Sequence, residues 1–218
     1  GNEVGKESME YATVIFNQGV AWTMLKSVKA KDLLTEASKI RQKKFGDAHP
    51  KFGEATARLA LYEWMMNNPK GAFDHFKTTF TNYYQQIDRY FPGLSEAEKT
   101  AFYYQGLRPQ FEVFNSFALQ HEKKLPELTA SMYDAQLNTK GLILYATNKV
   151  RATLQKNGDR ATLQQYEDWL QMKEQISKMY AAAEESRAGE LSELEKAANA
   201  IEKELTKKSA SFEKNVKR

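Results

Sequence analysis

One pattern occurs twice in this chain, and no other feature limits its folding so strongly. The first copy runs from Tyr11 through Ala30 to Phe45-Gly46-Asp47-Ala48-His49-Pro50. The second runs from Phe52 through Ala72 to Tyr90-Phe91-Pro92-Gly93. Small residues recur where the two helices of a hairpin must cross closely: Gly19 and Ala60 in the first helix, Ala30 and Ala72 in the second. Self-similarity at a period of about 42 residues predicts a helical solenoid, each hairpin burying its apolar face against the next. Such arrays present surfaces rather than reacting groups.

Composition agrees. Five prolines and eleven glycines in 218 residues leave long stretches rich in Ala, Leu, Lys, Glu and Gln, which favour helix. No apolar run alternates with period two, so no sheet is expected. The 32 Lys and Arg are interspersed with 28 Asp and Glu, and a net charge of +4 gives no reason to expect nucleic acid. With no cysteine, disulfides, thiolate metal sites and cysteine nucleophiles fall away together. No apolar run is long enough to span a membrane, and no secretory signal opens the chain. Residues 1–9 read as a cut start with a cleavage-scar glycine (Gly1-Asn2-Glu3-Val4-Gly5), which marks the chain as a fragment.

Residues 10–93 are expected to hold the two hairpins, with helices over Glu10–Lys26, Lys29–Lys44, Pro50–Met66 and Pro69–Tyr90. Their inward positions include Val14, Ile15, Val20, Trp22, Leu33, Leu34 and Ile40. In the second hairpin they include Leu59, Ala60, Leu61, Tyr62, Trp64, Met65, Phe73, Phe76, Phe80, Tyr83, Tyr84 and Ile87. Gly46 serves as the C′ residue that tolerates a left-handed backbone, and Pro50 opens the next helix. Asn67-Asn68-Pro69 makes a turn one residue longer than its counterpart, so first helices repeat at 41 and second helices at 42.

Residues 94–218 are expected to form a bundle of long antiparallel helices. Ser95 with Glu98 has capping-box spacing. Pro109 should interrupt the aromatic-rich helix that follows. One long helix should run from Leu125-Pro126-Glu127 to about Lys156 through Met132, Tyr133, Leu137, Leu142, Ile143, Leu144 and Val150. Asn157-Gly158-Asp159 is a turn. The stripes Trp169, Met172, Ile176, Met179, Ala183 and Leu191, Leu194, Ala198, Ile201, Leu205, Phe212 should face one another as a hairpin seam.

The hairpin pair resembles tetratricopeptide repeats of the kinesin-light-chain type, which often end in Gly-x-x-His-Pro, here Gly46-Asp47-Ala48-His49-Pro50. The second repeat lacks that ending. Leu94-Ser95-Glu96-Ala97-Glu98-Lys99 with Phe102-Tyr103 is similar to the run that follows the repeats in bacterial CHAT-family proteins. Tyr133-Asp134 with Leu137 and Lys140-Gly141-Leu142-Ile143-Leu144 resembles a later helix of that family. Gly158-Asp159, Tyr166, Trp169, Lys173 and Tyr180 resemble its next segment. Leu194-Glu195, Ala198, Ile201-Glu202-Lys203-Glu204-Leu205 and Ser209 resemble the helix after that. In that family these helices precede a caspase-like peptidase domain with a cysteine nucleophile. The resemblance therefore implies a non-catalytic recognition and regulatory segment, with the peptidase domain following in cis.

Candidate sites are few. His49, His75 and His121 have no metal-ligand spacing, so no metal or other cofactor is expected; His49 should satisfy backbone groups at the turn between hairpins. Asp134 and Lys140 do not share a helix face, and Gly141 is expected to permit close helix packing. Phe73, Phe76, Phe80, Tyr83 and Tyr84 have the spacing of a core. A solenoid groove is lined by first helices, which singles out Asn17, Arg58 and Tyr62 as partner contacts, with Arg58 able to pair with a carboxylate. Lys207, Lys208, Lys214, Lys217 and Arg218, opposed by Glu213, complement a helix C-terminus. The expectation is an all-α scaffold that binds a protein or peptide and is not itself an enzyme. The alternatives are a self-assembly module and a free-standing adaptor. Lack of cysteine suits the cytoplasm and equally a periplasm.

Overall fold

The computed structural model describes residues 5, 7–182 and 187–216, with backbone alone for 182 and 213–216. The expected cut start lies partly outside the described residues, as do Ala183, Lys217, Arg218 and the side chains of Glu213 and Lys214. The fold is all-α. Its helices are α1 (Met9–Met24), α2 (Lys29–Phe45), α3 (Pro50–Met65), α4 (Pro69–Tyr90), α5 (Glu96–Ala101), α6 (Arg108–His121), α7 (Glu127–Thr139), α8 (Leu142–Asn157), α9 (Arg160–Ala182) and α10 (Ala188–Val216). A 3₁₀ turn, Phe91–Gly93, follows α4, and a π-helical turn, Phe102–Leu107, joins α5 to α6. No strand occurs among the described residues.

Local signals set the helix ends. Ser8 Oγ accepts the Tyr11 N–H at 3.1 Å to cap α1. At α3 the cap is His49, whose Nδ1 accepts the Lys51 N–H at 3.1 Å, with Pro50 in the position where a missing N–H costs nothing. The capping box at α5 is complete, Ser95 and Glu98 each satisfying the other's backbone N–H. Pro109 sits in the first turn of α6, and the π turn before it takes up the disruption.

The internal repeat is visible in the turns. Lys26 and Asn67, the only non-glycine residues with positive φ among those described (53° and 58°), stand 41 positions apart. Each follows a first helix, and each is flanked by the same hydrogen bonds. The Lys26 N–H reaches Thr23 O and the Ser27 N–H reaches Trp22 O, at 2.9 and 3.0 Å. The Asn67 N–H reaches Trp64 O and the Asn68 N–H reaches Glu63 O, at 3.0 and 2.8 Å. Both are Schellman motifs, which satisfy the last carbonyls of a helix and reverse the chain. The second turn is therefore not the longer one. The turn repeats at 41 as far as Asn68, and the extra residue enters in the first turn of α4, ahead of Ala72.

The chain contains two compact units. The first runs up to Arg89 and takes in Leu107–Asn138; the second comprises Tyr90–Gly106 and the chain from Thr139 on. This discontinuous division differs from the expected boundary between residues 93 and 94, because α6 completes the second hairpin. Phe80 of α4 stacks on Phe111 at 4.6 Å between centroids and meets Phe114 edge-on at 4.9 Å, while Phe76 lies 5.2 Å from Phe117. Such pairs add about 1 kcal/mol each beyond burial alone.

In the first unit, Gly19, Ala30, Ala60 and Ala72 are all buried, as the repeat requires. A Cβ on Gly19 would stand 2.8 Å from Leu34 Cγ and 3.3 Å from its backbone nitrogen. Only glycine lets α1 approach α2 so closely. Ala12, Ile15, Phe16, Leu34, Ala37 and Ile40 form the core between them. Val14, Trp22 and Met65, expected inside, are exposed.

In the second unit, α9 and α10 face one another along the two expected stripes, and α8 adds Val150 and Leu154 to the same core. The start of α5 is clamped onto α10. The Ser95 hydroxyl donates to Asn199 Oδ1, the Glu96 N–H donates to the Glu202 carboxylate at 2.6 Å, and Lys203 pairs with Glu98 at 2.6 Å. The long helix expected up to Lys156 is two helices. Gly141 has φ +69° and separates α7 from α8. Nothing lies within 4 Å of where its Cβ would be, so backbone conformation rather than close packing explains the glycine. With that break, Tyr133, Leu137 and Leu144 fall on exposed faces.

Asn82 ties α4 to the loop between hairpins. Its buried amide donates to the carbonyls of Asp47 and His49, the latter at 3.1 Å, and its Oδ1 accepts from Gln86 at 2.6 Å. Asn82→Ala removes a donor from the Asp47 carbonyl and the acceptor of the Gln86 amide, while the His49 carbonyl keeps the Phe52 and Gly53 N–H groups, and is expected to cost about 2 kcal/mol in urea unfolding.

Candidate functional site

The buried side of α1 carries Ala12, Ile15, Phe16, Gly19 and Thr23. Its opposite side carries Val14, Asn17, Gln18, Ala21, Trp22 and Leu25 at spacings of three and four, all exposed. Leu25 is 71% accessible, and the Met24 and Val28 side chains beside it in the turn are as open. The Lys29 ammonium lies 5.2 Å from the centre of the Trp22 ring.

Forty-one residues on, the same positions of α3 are Ala55, Arg58, Leu59, Tyr62, Glu63 and Met66. Here the face is covered. Ala55, Leu59 and Tyr62 belong to the core of the first hairpin, and Met66 packs against it. One repeat face thus occurs twice, closed by a neighbouring hairpin in the second copy and open in the first. The open copy has Val14 and Leu25 where α3 has Ala55 and Met66, but places Asn17, Gln18 and Trp22 where α3 carries Arg58, Leu59 and Glu63.

The covered copy shows how this face handles charge. Glu63 is buried and accepts from the Lys31 ammonium of α2 at 2.8 Å and from Asn68 Nδ2 at 2.7 Å. Burial alone would push the Glu63 carboxyl up, but the bonds from Lys31 and Asn68 outweigh it and hold the group below the ordinary glutamate value. Near the loop between hairpins, Arg41 is also buried. Its guanidinium carbon lies 3.9 Å from the centre of the Phe16 ring, and Nη1 donates to Lys51 O at 3.1 Å and Glu54 Oε2 at 3.2 Å.

The three sequence-predicted contacts separate. Asn17 lies on the open face, and Arg58 is exposed at the equivalent position of α3. Tyr62 does not line a groove: it is 4% accessible within the hairpin core, where burial raises its phenol pKa. A first-helix residue faces a partner only where no neighbouring hairpin sits on it, and at Tyr62 one does. The exposure of Val14, Trp22 and Leu25 escaped helix-by-helix reading, because each residue alone suggests a core. Aligning the two copies reveals it, since Gln18 replaces Leu59 in the middle of the stripe.

Other candidates stay apart. His49 is the α3 cap, and burial depresses His75 and His121, the latter packed 5.0 Å from Phe117. Asp134, Lys140, Lys207 and Lys208 are exposed, and Lys208 donates to Gln165 at 2.8 Å. Among the described residues no three His, Cys, Asp or Glu side chains gather as metal ligands would, and no helix is long and apolar enough to cross a membrane. No protein family, curated protein or solved structure matches the chain.

Because the folded-state pKa of Glu63 is depressed, its contribution to stability is complete above the unfolded glutamate pKa and is lost as pH falls through the folded value. Lys31 is half-exposed, so the pair is discounted for solvent screening. Glu63→Gln is expected to cost about 1 kcal/mol in urea unfolding at pH 7, and the gap to the parent should narrow as pH falls below the ordinary glutamate value.

Proposed function

We propose that the chain is a non-catalytic protein-interaction scaffold that takes a helical segment of a partner on the open face of α1. The observation that carries this reading is the contrast between copies: the face that α3 buries against the first hairpin is exposed in α1. A helix is the natural occupant, because the first hairpin's own helices cover the α3 copy. Val14, Trp22 and Leu25 lie at the i, i+8 and i+11 positions, which share one face of a helix, with Asn17 and Gln18 between them for polar contacts. We further infer, from the resemblance of residues 94–209 to the helices preceding a CHAT-type peptidase, that the scaffold is the recognition and regulatory arm of such a protein. On that reading the partner acts by favouring one arrangement of the helices over another.

A photo-crosslinking side chain at Ala21 is expected to capture a partner through a helical segment, and one at Gln85 of α4 is not. Trp22→Glu, at an exposed position, should abolish capture while changing unfolding free energy by no more than about 0.5 kcal/mol. Equal capture from both sites would contradict the proposal. Light scattering that shows a concentration-dependent dimer, dissociated by Trp22→Glu, would make a second copy the occupant and establish the self-assembly alternative. The peptidase link is tested separately, by reading the gene beyond Arg218 for a domain with paired His and Cys.

A further inference from the structure

A cavity of about 190 Å³ lies in the second unit, between α5, α8, α9 and α10. Its apolar wall includes Val150, Leu154, Tyr166, Leu205 and the ring of Trp169. Such a volume has room for a benzene-sized body, since a cavity of about 150 Å³ accepts benzene. Two of its lining side chains carry buried polar atoms without a hydrogen-bond partner, Trp169 Nε1 and Thr147 Oγ1. Trp169 itself is more than nine-tenths buried. Leaving such groups unpaired costs about 1–3 kcal/mol each.

The unpaired groups indicate what would satisfy them. An indole N–H only donates, so its partner must be an acceptor. The Thr147 hydroxyl, also without a partner, can donate as well. Lys99 also lines the cavity, a side chain 1% accessible whose charge burial disfavours. The lining holds two cations, Lys99 and Arg151, and one carboxylate, Glu202. Glu202 is already committed to capping α5 through the Glu96 N–H. Within the lining itself the cations outnumber the carboxylate, while Glu96 and Glu98 also act on Lys99 from outside it.

We propose that this cavity is a binding site for a small organic carboxylate with an aromatic or branched aliphatic body. The carboxylate would sit among Lys99, Trp169 and Thr147, and the body against Leu154, Tyr166 and Leu205. The site is independent of the α1 face and stands or falls without it.

The test is a titration of the full chain with benzoate, followed by the indole N–H resonances of its three tryptophans. The Trp169 signal, assigned by its loss in Trp169→Phe, is expected to shift saturably with a Kd below about 1 mM, while those of Trp22 and Trp64 stay in place. Neutral benzamide should bind at least about ten-fold more weakly. Lys99→Met should weaken benzoate about ten-fold or more, and should Lys99→Met fail to fold, Thr147→Val should weaken it about three-fold or more. A Trp169 signal unmoved at about 10 mM benzoate would overturn the proposal and leave the cavity to water. So would equal binding of benzamide, or benzoate binding unaffected by the variant that folds.

Discussion

Each of the two hairpins reverses through one residue in a left-handed conformation, Lys26 in the first and Asn67 in the second, and the helical repeat follows from that choice. A Schellman turn fixes the angle at which the second helix leaves the first, because two hydrogen bonds close across the reversal. That angle brings α2 within contact of Gly19, where any side chain would strike Leu34. Asparagine accepts the left-handed region at small cost, whereas lysine pays about 1–2 kcal/mol for it, and the turn holds because packing along the whole hairpin outweighs that strain.

Equal turns give the two hairpins corresponding faces, and the residues on those faces differ. On α3 the face is closed by Leu59 and Tyr62 against the first hairpin, with Glu63 answered by Lys31. On α1 the corresponding positions carry Gln18, Ala21 and Trp22, a surface too polar for a permanent core and too apolar for water alone. At the other end of the pair, Phe111, Phe114 and Phe117 of α6 seal the aromatic side of α4, so the open side is that of α1.

Much of the fold was legible in the sequence because its signals are local or periodic. Ser95 with Glu98, Pro50 after His49, Gly46 at a helix end and the stripes of α9 and α10 each declare themselves within a few residues, and each is found as expected. What escaped depends on distant neighbours. Tyr62 has the look of a groove residue until the first hairpin is laid on it. Val14 and Trp22 have the look of core until α3 shows which face a neighbour covers. Gly141 could pack closely or turn the chain, and only the backbone decides. The cavity beside Lys99 was invisible for the same reason, since Thr147, Trp169 and Glu202 come from three helices and no spacing connects them.

Urea unfolding of Lys26→Gly, set beside Asn67→Gly, tests the repeated turn most directly. Glycine in an ordinary helix end or loop loses stability through the unfolded chain's added freedom. In a left-handed C′ position it relieves the strain a side chain creates. The shared Schellman turn predicts that Lys26→Gly gains about 1 kcal/mol and Asn67→Gly gains less, because asparagine is already tolerant there. A loss of stability at Lys26 would contradict the left-handed turn, and with it the equivalence of the two hairpins on which the open face of α1 rests.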